Sequence, residues 1–409
     1  MSSRSPSCRT VSVVILLVTF AAWPAAADEL QGDRLQGQEK DLWLSHGFSD
    51  AQRDEVRAAL QFGIDRKFVP GGVLLILHRG EPVFREAFGV ADLETGRPFE
   101  IDAPCRIASV TKPHTATLIA ILVAEGKLAW DDPVDKHLPE FANIKVRGKG
   151  PAKRSPRLRE LLSHTSGLAS NRALKAGRWT IPTDGTLAEA VAGLPAQGLA
   201  SEPGSRFGYT RLGYMVAARI AEVVTGEGFE TLLKKRLFDP IGVQTATFSP
   251  SPELAARIPT PYDRKAEGFF ELSASDRDFA RSSYPNPGGG LVSTADDVGR
   301  FLLLHRNRGM ANGQVILPAE QLSELYRPQP AAMNGGYGLG FNIQRVGTDG
   351  VGVRIRHGGA SGTLAEIDLE RDVAIVLLTQ VPQRQTAGFR NRLLRTIESI
   401  FPEESDTQP

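Results

Sequence analysis

Two cysteines among 409 residues leave no material for a disulfide framework. Cys8 falls in an N-terminal stretch that reads as a removable signal, and Cys105 is then alone, a small buried filler. A basic excess is also missing, since 48 Lys and Arg face 47 Asp and Glu. Loss of residues 1–27 takes Arg4 and Arg9 and no acid, which tips the balance slightly negative and removes any basis for nucleic-acid binding. No internal repeat, no low-complexity tract, no H-E-x-x-H and no Cys/His cluster is present, so neither a solenoid nor a metal site is expected, and no cofactor. The apolar run Val11–Phe20 is shorter than the roughly 20 residues that span a bilayer.

What that run does resemble is a secretion signal. Arg4 and Arg9 precede it and the small residues Ala25-Ala26-Ala27 follow, which predicts cleavage near Ala27/Asp28 and a secreted or periplasmic protein; an uncleaved anchor is the alternative. Residues 28–47 are polar and aperiodic and read as a flexible arm, 48–402 as the folded domain, and 403–409 as a tail. Within the domain, Ser49 with Gln52 forms a capping-box signature ahead of Val56, Leu60 and Ile64. A strand pair follows at Val73–His78 and Pro82–Val90.

From about 130 to 285 the pattern is helical, with Leu212–Val224 stopped by Gly226. Strand signal returns at Phe341–Val346, Val351–Arg356, Thr363–Asp368 and Val373–Leu378, before a last helix with Phe389, Leu393, Leu394 and Ile397 on one face. Neither group of strands buries enough surface alone, so both chain ends are expected to join in one largely antiparallel sheet flanked by helices, with a mostly helical second lobe beside it. That is an α+β fold, and the cleft between its lobes is the expected place for a site.

The chemistry concentrates in Arg106-Ile107-Ala108-Ser109-Val110-Thr111-Lys112-Pro113. Ala116, Ile119, Ala120 and Val123 follow at helical spacing, and Pro113 suits a first turn, so Ser109 sits at a helix start with Lys112 one turn above it. A serine hydroxyl beside a lysine amine is a candidate activated nucleophile, although such a pair alone is also an ordinary helix start. A serine hydrolase further needs a proton shuttle and oxyanion donors. Tyr209, in a Gly-rich loop ahead of Leu212, and the turn His357-Gly358-Gly359-Ala360, whose N–H groups can face a ligand, are the candidates. His164 reads as structural, because its segment ends a helix and turns at Gly167. Ser361 is excluded as a G-x-S-x-G nucleophile because Thr363 stands where the last glycine would be.

Ser109-Val110-Thr111-Lys112, Tyr209-Thr210-Arg211 and His357-Gly358-Gly359, in that order, resemble the three signatures of the penicillin-recognising serine hydrolases, the class C β-lactamase, D,D-peptidase and esterase-like group. Leu161–Leu168, Gly289–Asp297 and Gly336–Phe341 are similar to segments of the same group, and the likeness runs from about residue 50 to 401. The resemblance implies a β-lactamase-like fold, Ser109 as acylated nucleophile, Lys112 as its general base or hydrogen-bond partner, and Tyr209 as the shuttle that also activates water. It further implies an oxyanion hole from the N–H groups of Ser109 and Ala360, substrate contacts at Gly358 and Gly359, and His357 in the place usually held by lysine. A histidine there makes anion binding depend on pH near neutrality.

Arg211 stands where the group usually has an asparagine that hydrogen-bonds the acyl side chain, and a guanidinium cannot accept such a bond. Arg211 is expected to bind a carboxylate or to pair with Glu202. The resemblance therefore implies a carboxylesterase or D-amino-acid peptidase-like enzyme acting on a small-molecule or short-peptide substrate. The alternatives are a true β-lactamase and a non-catalytic binder of cell-wall peptide. Lys145, Arg147, Lys149, Lys153, Arg154, Arg157 and Arg159 make a basic run that reads as a solvated loop or as an attraction to an anionic surface such as cell wall.

Overall fold

Ser49 closes its capping box with Gln52: the Gln52 N–H donates to Ser49 Oγ, and the Ser49 N–H donates to Gln52 Oε1 at 2.8 Å. The structure, a computed structural model, describes residues 41–177, 180–265, 268–271 and 282–402. In chain order its main elements are α1 (Asp50–Asp65), β1 (Gly71–His78), β2 (Glu81–Gly89), α2 (Thr111–Ala124), α3 (Leu212–Thr225), α4 (Ala295–Arg306), β3 (Asn342–Val346), β4 (Gly352–Gly358), β5 (Leu364–Asp368), β6 (Val373–Leu378) and α5 (Gln383–Ile400).

Both chain ends do meet in one sheet. Its order is β3-β4-β5-β6-β1-β2, every pair antiparallel, and the join is the register Val73↔Leu378 through His78↔Val373. β1 and β6 are buried along their whole length, because the sheet is covered on both faces. Leu74 and Ile76 point with Val373, Ile375 and Leu377 into a core closed by Val56 and Leu60 of α1 and Phe389, Leu393 and Ile397 of α5. Val73, Leu75 and Leu77 point the other way, onto Val298, Phe301 and Leu302 of α4.

α2 is a buried helix, every residue from Thr111 to Leu122 being buried, because it runs between the sheet layer and the helical lobe. One expectation needs correction. The arm expected to stay mobile to residue 47 is already ordered from Asp41, where residues 41–45 are helical and Trp43 is fully buried. Trp43 donates to Ser49 O at 2.8 Å and packs edge-on to Phe84 and Phe401. One large aromatic side chain outweighs a polar surrounding here. The predicted signal (1–27), the rest of the arm (28–40) and the tail (403–409) lie outside the described residues.

The second lobe is built on the short helix Leu158–Leu162 and on α3, whose end is closed by Gly226 at φ +73°. It also carries the small hairpin Lys145–Val146 with Gly150–Pro151, whereas the hairpin Tyr262–Lys265 with Gly268–Glu271 is tied to the sheet layer, where Tyr262 N–H donates to Gln380 O at 2.9 Å. Cys105–Arg106 pairs with Val292–Ser293, so the strand leading to Ser109 is tied to the chain as it leaves that lobe. No helix among the described residues is long and apolar enough to cross a membrane.

Candidate active site

Ser109 sits in a 3-10 turn, Ala108–Val110, that runs directly into α2. Ala108 just before it has φ +47°, a left-handed conformation that costs an L-residue roughly 1–2 kcal/mol and persists only when its surroundings enforce it. The enforcement is visible. Thr111 Oγ1 donates to Ala108 O at 2.6 Å and accepts from Leu291 N–H at 3.2 Å, and Ile107 N–H donates to Leu291 O at 3.0 Å. From the other side, Ser361 Oγ donates to Arg106 O at 2.7 Å and Thr363 Oγ1 to Ile107 O at 2.9 Å.

Lys112 is fully buried, and its Nζ lies 3.0 Å from Ser109 Oγ and 2.5 Å from Gly288 O. Burial lowers its pKa from 10.5 to about 7, with the charge of Arg211 a second, smaller cause. The same nitrogen stands 4.8 Å from the Tyr209 ring centroid. The Tyr209 phenol moves the opposite way, up to about 12, again by burial, with its hydrogen bond to Ser109 opposing the rise. Tyr209 is held by its loop: Asn171 N–H donates to Tyr209 O at 2.8 Å, Thr210 N–H to His164 Nδ1 at 3.1 Å, and Arg211 N–H to Asn171 Oδ1 at 3.0 Å.

His164 is thus a support for the Tyr209 loop, with its ring 4.4 Å from that of Tyr209. Because its Nδ1 accepts from Thr210, the proton is on Nε2, which donates to Tyr337 OH at 3.2 Å. His357 Nδ1 donates to Gly358 O at 2.9 Å, so its Nε2, 3.1 Å from Tyr337 OH, is an acceptor for the phenol proton. The order of donation runs His164, Tyr337, His357, Gly358 O, and both imidazoles are neutral. Tyr214 OH donates to Leu162 O at 2.7 Å beside this chain. Burial holds His357 down at about 3 and His164 well below its usual value.

The expectation of a His357 charge that switches near neutrality is therefore corrected: the ring is closed off from water and hydrogen-bonded as a neutral group. Its centroid is 6.3 Å from that of Tyr209.

The turn after β4 packs against the serine. A Cβ on Gly359 would stand 2.0 Å from Thr363 Oγ1 and 2.5 Å from Ile107 O, and one on Gly358 would stand 2.2 Å from Gln383 Nε2. Gly359 N–H donates to Thr363 O at 2.8 Å, so the turn uses that group to close itself. The N–H groups of Ser109 and Ala360, by contrast, donate to no hydrogen bond among the described residues. Arg211 packs its Cβ against Gly288, and its charge acts on Lys112 and Tyr284. Glu202, the alternative partner for Arg211, accepts from Lys153 N–H at 3.1 Å.

Ser109, Lys112, Tyr209, Arg211 and the Ala360 turn are thus brought together from three separate stretches of chain. Sequence reasoning assigned no role to Tyr337, Tyr214 or the Gly288 carbonyl. Tyr337 stood within the Gly336–Phe341 stretch, but its partners are 173 and 20 residues away.

The sequence matches the Beta-lactamase family over residues 56–398. Esterase EstB of Burkholderia gladioli is 29% identical over 371 residues, 79% of this chain and 89% of the relative. Penicillin-binding protein 4 of Amycolatopsis lactamdurans is 32% identical over 303 residues, 72% of this chain and 75% of the relative. Among solved structures, EstCE1, titled a hydrolase with promiscuous acyltransferase activity, superposes with a TM-score of 0.73 at 23% identity, over 85% of this chain and all of that one. By motif order, fold and sequence, the chain belongs to the Beta-lactamase family of serine hydrolases.

Proposed function

We propose that the protein is a carboxylesterase or D-amino-acid peptidase-like hydrolase that works through an acyl-enzyme on Ser109. The observation that carries the reading is the contact of a buried Lys112 amine with Ser109 Oγ at 3.0 Å, beside the Tyr209 phenol. Above about pH 7 the amine is neutral and takes the Ser109 proton as Oγ attacks the carbonyl carbon. The oxyanion accepts from the N–H groups of Ser109 and Ala360. Tyr209 gives its proton to the leaving group and is restored by Lys112, which returns to the neutral amine. Deacylation runs the relay backwards: water loses a proton to Tyr209, Tyr209 passes its own to Lys112, and Lys112 reprotonates Ser109 as the ester breaks.

Arg211 in place of an acyl-binding asparagine supports ester or peptide cleavage over β-lactam cleavage, and the relative named as an esterase agrees. The signal-like segment before Asp28 supports export to the periplasm or medium. A fluorophosphonate probe should label Ser109 and not Ser109→Ala. Turnover of p-nitrophenyl esters, D-amino-acid p-nitroanilides and nitrocefin should then favour the first two; nitrocefin turned over fastest would overturn the preference.

A further inference from the structure

Lys112 becomes positively charged when it takes the Ser109 proton, and it does so in a buried place where a charge is costly. Besides the phenols of Tyr209 and Tyr214, the titratable groups that face it among the described residues are Arg211 from the Tyr209 loop, His164 from the turn after the helix Leu158–Leu162, and His357 from β4. None of these is an acid.

Two oxygens and two ring faces surround the nitrogen instead. Gly288 O lies at 2.5 Å and Ser109 Oγ at 3.0 Å. The Tyr209 ring centroid is 4.8 Å from Nζ and that of Tyr214 is 5.4 Å, with the nitrogen over each ring. A cation within about 6 Å of an aromatic centroid is attracted by the negative face of the ring, more strongly where water is excluded. A neutral amine gains far less, so the contact favours the protonated form and opposes part of the penalty of burial.

The chain around Tyr214 explains its placement. It lies in the first turn of α3, after Gly213, where a Cβ would stand 2.2 Å from Leu161 O. With no side chain at 213, α3 backs directly onto the helix Leu158–Leu162, and the Tyr214 phenol reaches Leu162 O at 2.7 Å. Its OH is 3.3 Å from that of Tyr337, its ring centroid is 5.3 Å from that of His164, and the residue is fully buried. The hydroxyl anchors the ring, and the face is what Lys112 meets.

We propose that Tyr214 is a positioning residue of the relay, its ring face holding the charge that Lys112 acquires as Ser109 Oγ attacks. This rests on the acyl-enzyme reading above. In that step the Ser109 O–H bond breaks, an Nζ–H bond forms, and the resulting ammonium lies over two rings. Tyr209 exchanges its proton during the cycle. Tyr214 does not, since burial holds its phenol well above the usual value, so it offers the same face in acylation and deacylation.

The test separates the ring face from the hydroxyl and from the fold. Tyr214→Phe keeps the face and loses the hydroxyl. Tyr214→trifluorophenylalanine keeps the shape of that second ring while its fluorines withdraw electron density from the face. NMR of the full chain carrying lysine isotope-labelled at Cε, with Lys112→Met to assign the signal, reads the Lys112 titration directly, and kcat/KM for a p-nitrophenyl ester reads it through turnover. The Phe variant should titrate with the parent. The fluorinated variant should titrate roughly 0.5–1.5 pH units lower in both readouts, the span of a cation–π contact, and reach a lower plateau in kcat/KM. A fluorinated variant that titrates with the Phe variant would overturn the proposal, as would an NMR shift that turnover does not follow. Fluorophosphonate labelling of Ser109 keeps the two readings apart: labelling without an NMR shift refutes the role of Tyr214 alone, whereas no labelling in the parent refutes the acyl-enzyme and the relay with it.

Discussion

Replacing Lys112 by methionine should make the protein more stable at neutral pH while destroying its activity, and the size of the gain should change sign with pH. The lysine falls from 10.5 in an open chain to about 7 in its buried site, and at about 1.4 kcal/mol per pH unit this is a folding penalty of about 5 kcal/mol. The sign is fixed by proton counts. Between pH 7 and 10.5 the unfolded chain holds a proton that the native chain has released, so native stability rises with pH there. The penalty is complete below about pH 7 and gone above 10.5.

Methionine has no such penalty but leaves Gly288 O without its 2.5 Å donor, a loss of roughly 1–3 kcal/mol. The variant should therefore be about 2–4 kcal/mol more stable than the parent at pH 7 and less stable at pH 10.5. Urea denaturation of both proteins from pH 6 to 10.5 measures the difference directly. A stability difference that stays flat across that range would refute burial as the cause of the lowered pKa. In the parent, kcat/KM for a p-nitrophenyl ester should climb to a plateau with a midpoint near pH 7.

Tyr209→Phe should lower kcat by roughly 10²–10⁴, the usual worth of a positioned proton donor, with fluorophosphonate labelling of Ser109 retained; near-parental kcat would remove Tyr209 from the relay. Tyr337→Phe strips the partners from His164 Nε2–H and His357 Nε2, two buried nitrogens, and should cost roughly 2–4 kcal/mol in urea denaturation, with kcat falling more than KM changes. Arg211→Asn restores an amide able to accept as well as donate, and should raise nitrocefin turnover relative to ester turnover by roughly tenfold, one neutral hydrogen bond; an unchanged ratio would separate Arg211 from substrate choice.

The sheet was legible because strand periodicity and apolar runs are local signals, and the joining of both chain ends followed from the need to cover both groups of strands; which strands meet, and the Val73–Leu378 register, did not. The ordered Trp43 segment was not, since one buried aromatic leaves no periodic trace. In the site, Ser109, Lys112 and Tyr209 could be found because each sits in a short motif. The state of His357 could not. Its residue type suggests a switch near neutrality, but its neutrality comes from burial, and its Tyr337 contact, like that burial, is set by how β4 packs rather than by sequence spacing. At Gly359 the close approach that glycine permits includes Thr363 and Ile107, partners no local spacing reveals.

A single physical cause serves both halves of the proposed relay. Desolvation penalises whichever form is charged, so it lowers an ammonium and raises a phenol. Applied to Lys112 and Tyr209 in the same pocket, it yields a free amine above about pH 7 and an intact phenol up to about pH 12. Over that interval the base can accept and the acid can donate at the same time, with no third group needed to set their states. The silent histidines extend the reasoning. An imidazolium at position 357 would add a second positive charge near Lys112 and lower the amine further, weakening it as a base below neutrality, and burial of the ring keeps that charge from forming, with the Lys112 charge a smaller cause. Burial of His357 thereby protects the basicity of Lys112, and a lysine placed there should shift the midpoint of the pH–rate profile downward from about 7.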